Sequence, residues 1–401
     1  MTLDFLQTLA LAGAVVLAGQ WICSKVGILE RFSIPPPVVG GLLVALLLLG
    51  SKSLGGPVLI FDTLLQKPLL VAFFATLGFA ARLELLRRGG PQVLVFLALC
   101  SGFAVLQCVV GIAVAAMFNL PPLFGVLVGA VTLTGGPATG AAFAPLFEQA
   151  GVVGASAIAV ASATAGIVVG GLLGGPLVVR LMRTEGLRGP LRTAPQSAAS
   201  DLPADLPAID ETGTVQATEG SAFTAVALLL GIVVGQWVSS LIERTGITLP
   251  GYIGAMLLAA VVSNAGPLLG RLRPDPAVIE ALGAIVLSLF LAMWLMTLDL
   301  TRLHGVALPL LVNLALQVAL IALALRLVYR VMGRDYDAAV MSGGFTGFML
   351  GTTATALAVM RTLVARHGVA PRAFLVAPVV GAFFIDFTNA LIINAFLNLF
   401  G

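Results

Sequence analysis

Charge is what this chain has least of. Only 10% of its 401 residues are Asp, Glu, Lys or Arg, 59% are hydrophobic, and the mean hydropathy is +1.09. A soluble domain carries charge on about a quarter of its residues, so a water-facing globular fold is excluded and a polytopic membrane protein is expected. Histidine is nearly absent, with His304 and His367 each beside arginines near the end of an apolar stretch. The three cysteines, Cys23, Cys100 and Cys108, have no Cys-x-x-Cys spacing and no histidine close by. That pattern excludes a His/Cys metal set and leaves the cysteines as small packing residues. No resident cofactor is expected. The net charge is +3 with a pI near 9.0, but the basic residues lie between apolar stretches and form no patch, so nucleic acid has no footprint. The first apolar stretch, about 5–22, follows Asp4 without a basic lead or a small-residue cleavage pattern, which predicts a retained helix.

What the chain has in abundance is apolar length. At about 20 residues per crossing, spans are predicted over 5–23, 37–51, 68–83, 92–118, 152–182, 221–241, 249–267, 281–298, 306–329 and 371–400. Two further apolar regions, 121–148 and 337–364, are interrupted by glycine- and hydroxyl-rich clusters. The clusters are Thr134-Gly135-Gly136-Pro137-Ala138-Thr139-Gly140 and Ser342-Gly343-Gly344-Phe345-Thr346-Gly347. Each region divides into pieces too short to cross alone and predicts a re-entrant hairpin. Non-helical backbone survives at membrane depth only where protein or a water-filled cavity satisfies it. Residues 183–220, rich in Pro, Ala, Ser, Thr, Asp and Glu, are expected to be a disordered linker. The expected organisation is therefore a membrane repeat over 1–182, the linker over 183–220 and a second repeat over 221–401.

The repeat is visible in residue pairs. Pro36 to Leu43 (PPVVGGLL) aligns with Pro250 to Leu257 (PGYIGAML), 214 residues on, and Phe73-Phe74-Ala75 with Phe290-Leu291-Ala292, 217 on. Gly135-Gly136 pairs with Gly343-Gly344, and Gly151-Val152 with Gly368-Val369. Five crossings per half is an odd number, so a direct linker turns the second copy upside down. With both termini outside, 17 of the 21 basic residues fall at inner loops and inner span ends; only Lys52, Lys67, Arg244 and Arg302 fall outside. This division obeys the positive-inside rule and puts the linker in the cytoplasm.

Two inverted hairpins meeting near the midplane would aim helix N-termini, each worth about 0.3–2 kcal/mol to a negative charge, at an anionic substrate. Thr134, Gly135, Gly136, Thr139, Ser342, Gly343, Gly344, Thr346, Thr352 and Thr353 are the candidate contacts, with Thr355 nearby. Helix packing by small residues is the other reading of these glycines. One charge stands at membrane depth: Asp386, in Phe383-Phe384-Ile385-Asp386-Phe387-Thr388-Asn389. It costs about 2.5–3.5 kcal/mol there, which marks it as functional, with a structural hydrogen bond as its alternative role. Asn389 shares its helical face and could share a cation or a substrate amino group with it. Asp299, Asp337 and Glu84 lie at span ends.

The runs Ile34-Pro35-Pro36-Pro37-Val38-Val39-Gly40-Gly41-Leu42-Leu43, Phe73-Phe74-Ala75-Thr76-Leu77-Gly78, Tyr336-Asp337-Ala338-Ala339-Val340 and Pro378 to Leu391 (PVVGAFFIDFTNAL) carry a resemblance. They resemble the bacterial glutamate:sodium symporter family, over the whole chain apart from the linker. The resemblance implies sodium-coupled uptake of glutamate across the inner membrane, inverted repeats with one re-entrant loop each, a homodimer and an elevator motion. Sodium would be the coupling ion, held by Asp386, Asn389 and hairpin carbonyls. The hairpin hydroxyls and amides would hold the substrate carboxylates. The family's apices read Gly-Gly-x-Gly, some with histidine third; here they read Gly135-Gly136-Pro137-Ala138 and Gly343-Gly344-Phe345-Thr346. A carrier of citrate, malate or aspartate is therefore an alternative. A more distant one is an intramembrane aspartyl protease using Asp337 and Asp386, although the Gly-x-Gly-Asp pattern is absent, Gly381 lying five residues before Asp386.

Overall fold

The computed structural model describes residues 2–32, 34–55, 59–82, 84, 90–187, 219–243, 251–265, 274–303 and 305–401. Residues 188–218, most of the expected linker, lie outside the described set. The described chain is almost entirely helical. Its major helices in order are α1 (Phe5–Lys25), α2 (Pro36–Ser53), α3 (Gln66–Ala80), α4 (Gly90–Met117), α5 (Pro122–Val126), α6 (Gly136–Gln149), α7 (Ala155–Thr184) and α8 (Glu219–Glu243). They continue with α9 (Gly251–Ala265), α10 (Pro276–Met296), α11 (Ala307–Val331), α12 (Tyr336–Leu350), α13 (Thr353–His367), α14 (Pro371–Val379) and α15 (Ile385–Phe400). The only sheet among the described residues is a two-residue parallel pair, Thr2–Leu3 with Ile60–Phe61.

Local chemistry sets the helix starts. Asp4 and Gln7 form a reciprocal capping box on α1. Pro36 and Pro276 open α2 and α10, where a missing N–H costs nothing. Asp335 caps α12 by accepting from Ala338 N–H at 2.8 Å, and Arg372 donates to both its carboxylate oxygens.

Six described helices, α1, α2, α4, α7, α10 and α11, are long and apolar enough to cross a membrane, which makes the chain an all-α, multi-pass membrane protein. Ten crossings were expected from the sequence. The spans at 68–83 and 249–267 are helices of 15 residues, Gln66–Ala80 and Gly251–Ala265. The span at 371–400 is interrupted by a π-helical turn, Val380–Phe384, just after Pro378. Proline offers no N–H to the ladder, and the wider turn absorbs the mismatch.

The described chain divides into two compact units, and each draws on both halves of the sequence. In one, α1, α2 and α3 join α8, α9 and α10. Glycines bring its backbones close: Gly19 lies against the Pro36 carbonyl, Gly40 against the Val15 carbonyl and Gly78 against the Met256 carbonyl. Side chains then take up carbonyls across helices, Ser263 Oγ on Phe79 O at 2.7 Å and Gln66 Nε2 on Met293 O at 3.2 Å.

The other unit joins α4 through α7 to α11 through α15. Its core carries Phe103 edge-on to Phe345, ring centroids 5.0 Å apart, and Phe96 edge-on to Phe348 at 6.3 Å. Gly166, Gly170 and Gly174 make a stripe along α7. The first two face Leu350 at the end of α12, and the third faces Val359 of α13. A methyl at any of them would push the α12–α13 pair away.

Candidate functional site

Both interrupted regions fall in this second unit, and their tips meet. In the first, α5 passes into a π-helical turn, Leu127–Val131, whose Gly129 leaves helical geometry at φ −96°, ψ −120°. The chain then turns at Thr134 and Gly135 and enters α6 at Gly136, whose φ of +66° suits glycine. In the second, α12 ends at Leu350, Gly351 leaves helical geometry at φ −159°, ψ −111°, and Thr352 caps α13. The two turns touch: a Cβ on Gly136 would stand 2.9 Å from Thr352 Cγ2 and 3.4 Å from Gly351 O.

The sequence placed the second break at Ser342 to Gly347, and the structure puts it at Gly351-Thr352. Ser342, Gly343, Gly344 and Thr346 lie inside continuous, buried α12. Their hydroxyls serve their own helix, Ser342 Oγ donating to Ala338 O at 2.8 Å and Thr346 Oγ1 to Ser342 O at 3.0 Å. The glycines serve packing. A Cβ on Gly343 would meet Leu363 at 2.8 Å, one on Gly344 would meet Met360 Sδ at 2.7 Å, and Gly347 lies against the Ala356 backbone. Of the remaining expected residues, Thr134, Gly135, Gly136, Thr352 and Thr353 sit at the joined tips, and Thr139 lies in the first turn of α6 against Gly135.

Asp386 and Asn389 stand on α15, directly after the second π-helical turn. The two π turns are braced across the unit in a matched way. Asn389 Nδ2 donates to Ala130 O in the first turn at 3.0 Å, and Thr353 Oγ1 donates to Gly381 O in the second at 2.6 Å. A π turn loosens the helical ladder, and here side chains from the facing break take up its carbonyls. The same bonds tie α15 to the first hairpin and the turn ahead of Asp386 to the tip of the second. Asp386 is half-buried, and no hydrogen bond or ion pair reaches its carboxylate from the described residues.

Sequence reasoning missed a second set of polar residues. Gln107 on α4 is fully buried; its Nε2 donates to Met349 O at 2.7 Å, and its Oε1 accepts from Thr134 Oγ1 at 2.5 Å. On α11, Asn313 Nδ2 donates to Val128 O at 2.6 Å and Gln317 Nε2 to Gln107 O at 2.9 Å. Ser162 of α7 pairs with Thr132 at 2.8 Å. Three uncharged amides inside apolar spans were the available signal, but a search for ionisable groups passes over them.

Asp337 has a structural task. Its Oδ1 accepts from Ala373 N–H at 3.0 Å and so holds the start of α14. Among the described residues no group of three or more His, Cys, Asp or Glu could hold a metal; the oxygens at the joined tips are hydroxyls, amides and carbonyls, with the Asp386 carboxylate on α15. Such oxygens suit a hard alkali cation.

Comparison with known proteins identifies the family. A family model described as sodium/glutamate symporter matches residues 1–369. The chain is 40% identical over 406 residues to a sodium/glutamate symporter of Escherichia coli, covering 99% of this chain and 98% of that protein. A Shigella flexneri sodium/glutamate symporter matches equally, and one from Haemophilus influenzae is 38% identical over 398 residues, covering 98% and 97%. These relatives are transporters, not enzymes. The chain, apolar and helical with two broken hairpins in one unit, belongs to the sodium/glutamate symporter family.

Proposed function

We propose that this protein carries out sodium-coupled uptake of glutamate across the bacterial inner membrane. Family membership over nearly the full length supports the activity. The observation that supports the location of the site is the meeting of the two broken helices, Gly136 against Thr352, in one compact unit. In this reading the N–H groups at the start of α13, with the Thr352 hydroxyl, receive a substrate carboxylate. A helix N-terminus offers unpaired donors and partial positive charge without needing an arginine. Asp386 supplies the negative charge for a cation, either the substrate ammonium or sodium, and Asn389 stands one turn along the same helix.

The organisation proposed with it is a pair of inverted repeats, with both termini outside and the linker cytoplasmic, as the distribution of basic residues favours. The unit that holds both tips would carry the site between the two membrane faces, in a homodimer. Uptake of labelled glutamate into proteoliposomes tests the activity directly. Accumulation should require an inward sodium gradient, and accumulation indifferent to sodium would refute the coupling. Excess citrate, malate or aspartate in the same assay separates glutamate from the other carboxylates.

A further inference from the structure

The hydrogen bonds at the tips fix which way their hydroxyls point their protons. Gln107 begins the chain of constraints. Met349 O can only accept, so the Gln107 amide must turn its Nε2 toward it, at 2.7 Å. A flipped amide would set two oxygens against each other. Oε1 is thereby the atom that faces Thr134, and an amide oxygen also can only accept. Thr134 Oγ1, 2.5 Å away, must donate. Its one proton is engaged, and what it has left for any further partner is lone pairs.

The second tip repeats the arrangement. Thr353 Oγ1 donates to Gly381 O at 2.6 Å, so its proton too is taken and its lone pairs are left. Gly351 adds an acceptor of a third kind. Its carbonyl oxygen faces Gly136, and no backbone N–H among the described turn and cap bonds donates to it. Thr134 is 4% exposed and Gln107 0%, so bulk water does not relax this polarity. A carboxylate, which needs donors, finds none in these oxygens; a cation finds ligands.

We propose that the Thr134 hydroxyl is a cation ligand, oriented as an acceptor by Gln107, and that it serves sodium or the substrate ammonium and not a carboxylate. Gln107 is the positioning residue. It acts through Thr134 and ties that hydroxyl to the end of α12. This role is the reverse of the one expected from the sequence for the first hairpin's hydroxyls, and it rests on the transport reading above.

Wild-type protein in proteoliposomes provides the control: if sodium does not drive its glutamate uptake, the transport reading fails and this inference is not what was refuted. With the wild type active, Thr134→Val keeps the shape and removes the lone pairs. Loss of one charge-assisted contact should shift the relevant constant about tenfold. If the cation is sodium, half-saturation for sodium rises. If it is the ammonium, glutamate weakens while inhibition by glutarate, which keeps both carboxylates and lacks the amino group, does not. Thr134→Ser should restore either loss, which a mere packing role would not require. Gln107→Leu leaves Thr134 in place and exchanges the amide oxygen that fixes its proton for the weak Met349 Sδ acceptor at 3.8 Å, and should shift the same constant; it gives the reading if Thr134→Val does not reach the membrane. Unchanged constants in folded Thr134→Val or Gln107→Leu would overturn the proposal. So would equal weakening of glutamate and glutarate with sodium half-saturation unmoved, because the hydroxyl would then face a carboxylate.

Discussion

The two hairpins carry the same Gly-Gly letters and use them for different physical tasks. In the first, Gly135-Gly136 is the break, with Gly136 at φ +66° and pressed against Thr352. In the second, Gly343-Gly344 is helix interior, where the missing Cβ makes room for Leu363 and Met360. The break comes later, at Gly351. A glycine pair therefore shows that backbone is closely approached, but not whether the approach is by a helix or by a ligand. What separates the cases is the neighbourhood: Gly136 meets the opposite tip, whereas Gly343 and Gly344 meet side chains of the unit's own helices.

The steepest loss should come at the first break itself. Gly136→Ala adds a methyl where φ is left-handed, at about 1–2 kcal/mol, and drives it toward Thr352 Cγ2, 2.9 Å away. Uptake should fall by about tenfold or more with the protein still in the membrane. Gly344→Ala gains about 1 kcal/mol of helix propensity while crowding the flexible Met360. Its uptake constants should stay near wild type. Similar losses in both variants, measured as initial rates per folded transporter, would erase the distinction between break and packing.

Next in size are the cross-braces of the π turns. Asn389→Leu removes the side-chain donor to Ala130 O, which keeps only the Gly135 N–H at 3.1 Å, and Thr353→Val leaves Gly381 O without its hydroxyl. Each loss should destabilise the unit by about 1–3 kcal/mol, read as lower thermal stability in detergent. Asn389→Leu should also weaken sodium dependence, because its side chain shares a face with Asp386. Loss of stability alone, with sodium half-saturation unchanged, would reduce Asn389 to a brace.

A smaller effect tests the second tip. Thr352 accepts from Thr355 N–H as the cap of α13. Thr352→Ala should cost about 1 kcal/mol of cap energy, or about fivefold in glutamate half-saturation if that helix end meets the carboxylate. An unchanged constant would move the anion elsewhere.

Much of this was legible in the sequence, and the failures have identifiable causes. Apolar length gave the helices, and hydropathy gave the membrane, because both depend on composition over whole segments. Asp386 stood out because a lone charge is conspicuous in an apolar run. The second break was misplaced because pairing went by letters. Gly343 lies 208 residues after Gly135, whereas the other matched pairs lie 214 and 217 apart; at 216 stands Gly351, the residue that breaks. Offset was the stronger signal than the doublet. Gln107, Asn313 and Gln317 were missed for another reason. An uncharged amide in a span costs little enough to go unremarked, and its importance depends on which carbonyls a break has freed, which only the fold displays.

Ser342 and Thr346 should matter least, and their substitution decides whether the hydroxyls of α12 belong to the site. Each already has a partner one turn back, Ala338 O and Ser342 O, and each is fully buried. A hydroxyl bonded to the i−4 carbonyl satisfies itself within the helix and leaves that carbonyl's own ladder bond in place. Alanine in its stead removes donor and need together, and it is a better helix former by a few tenths of a kcal/mol. Ser342→Ala and Thr346→Ala should therefore leave glutamate half-saturation and sodium dependence within about twofold of wild type, an energy of about 0.4 kcal/mol. A tenfold change in either constant, in protein of unaltered stability, would mean that these hydroxyls leave their helix to meet the ligand. The second hairpin would then open along α12 and not at Gly351, and the two Gly-Gly pairs would share a function after all.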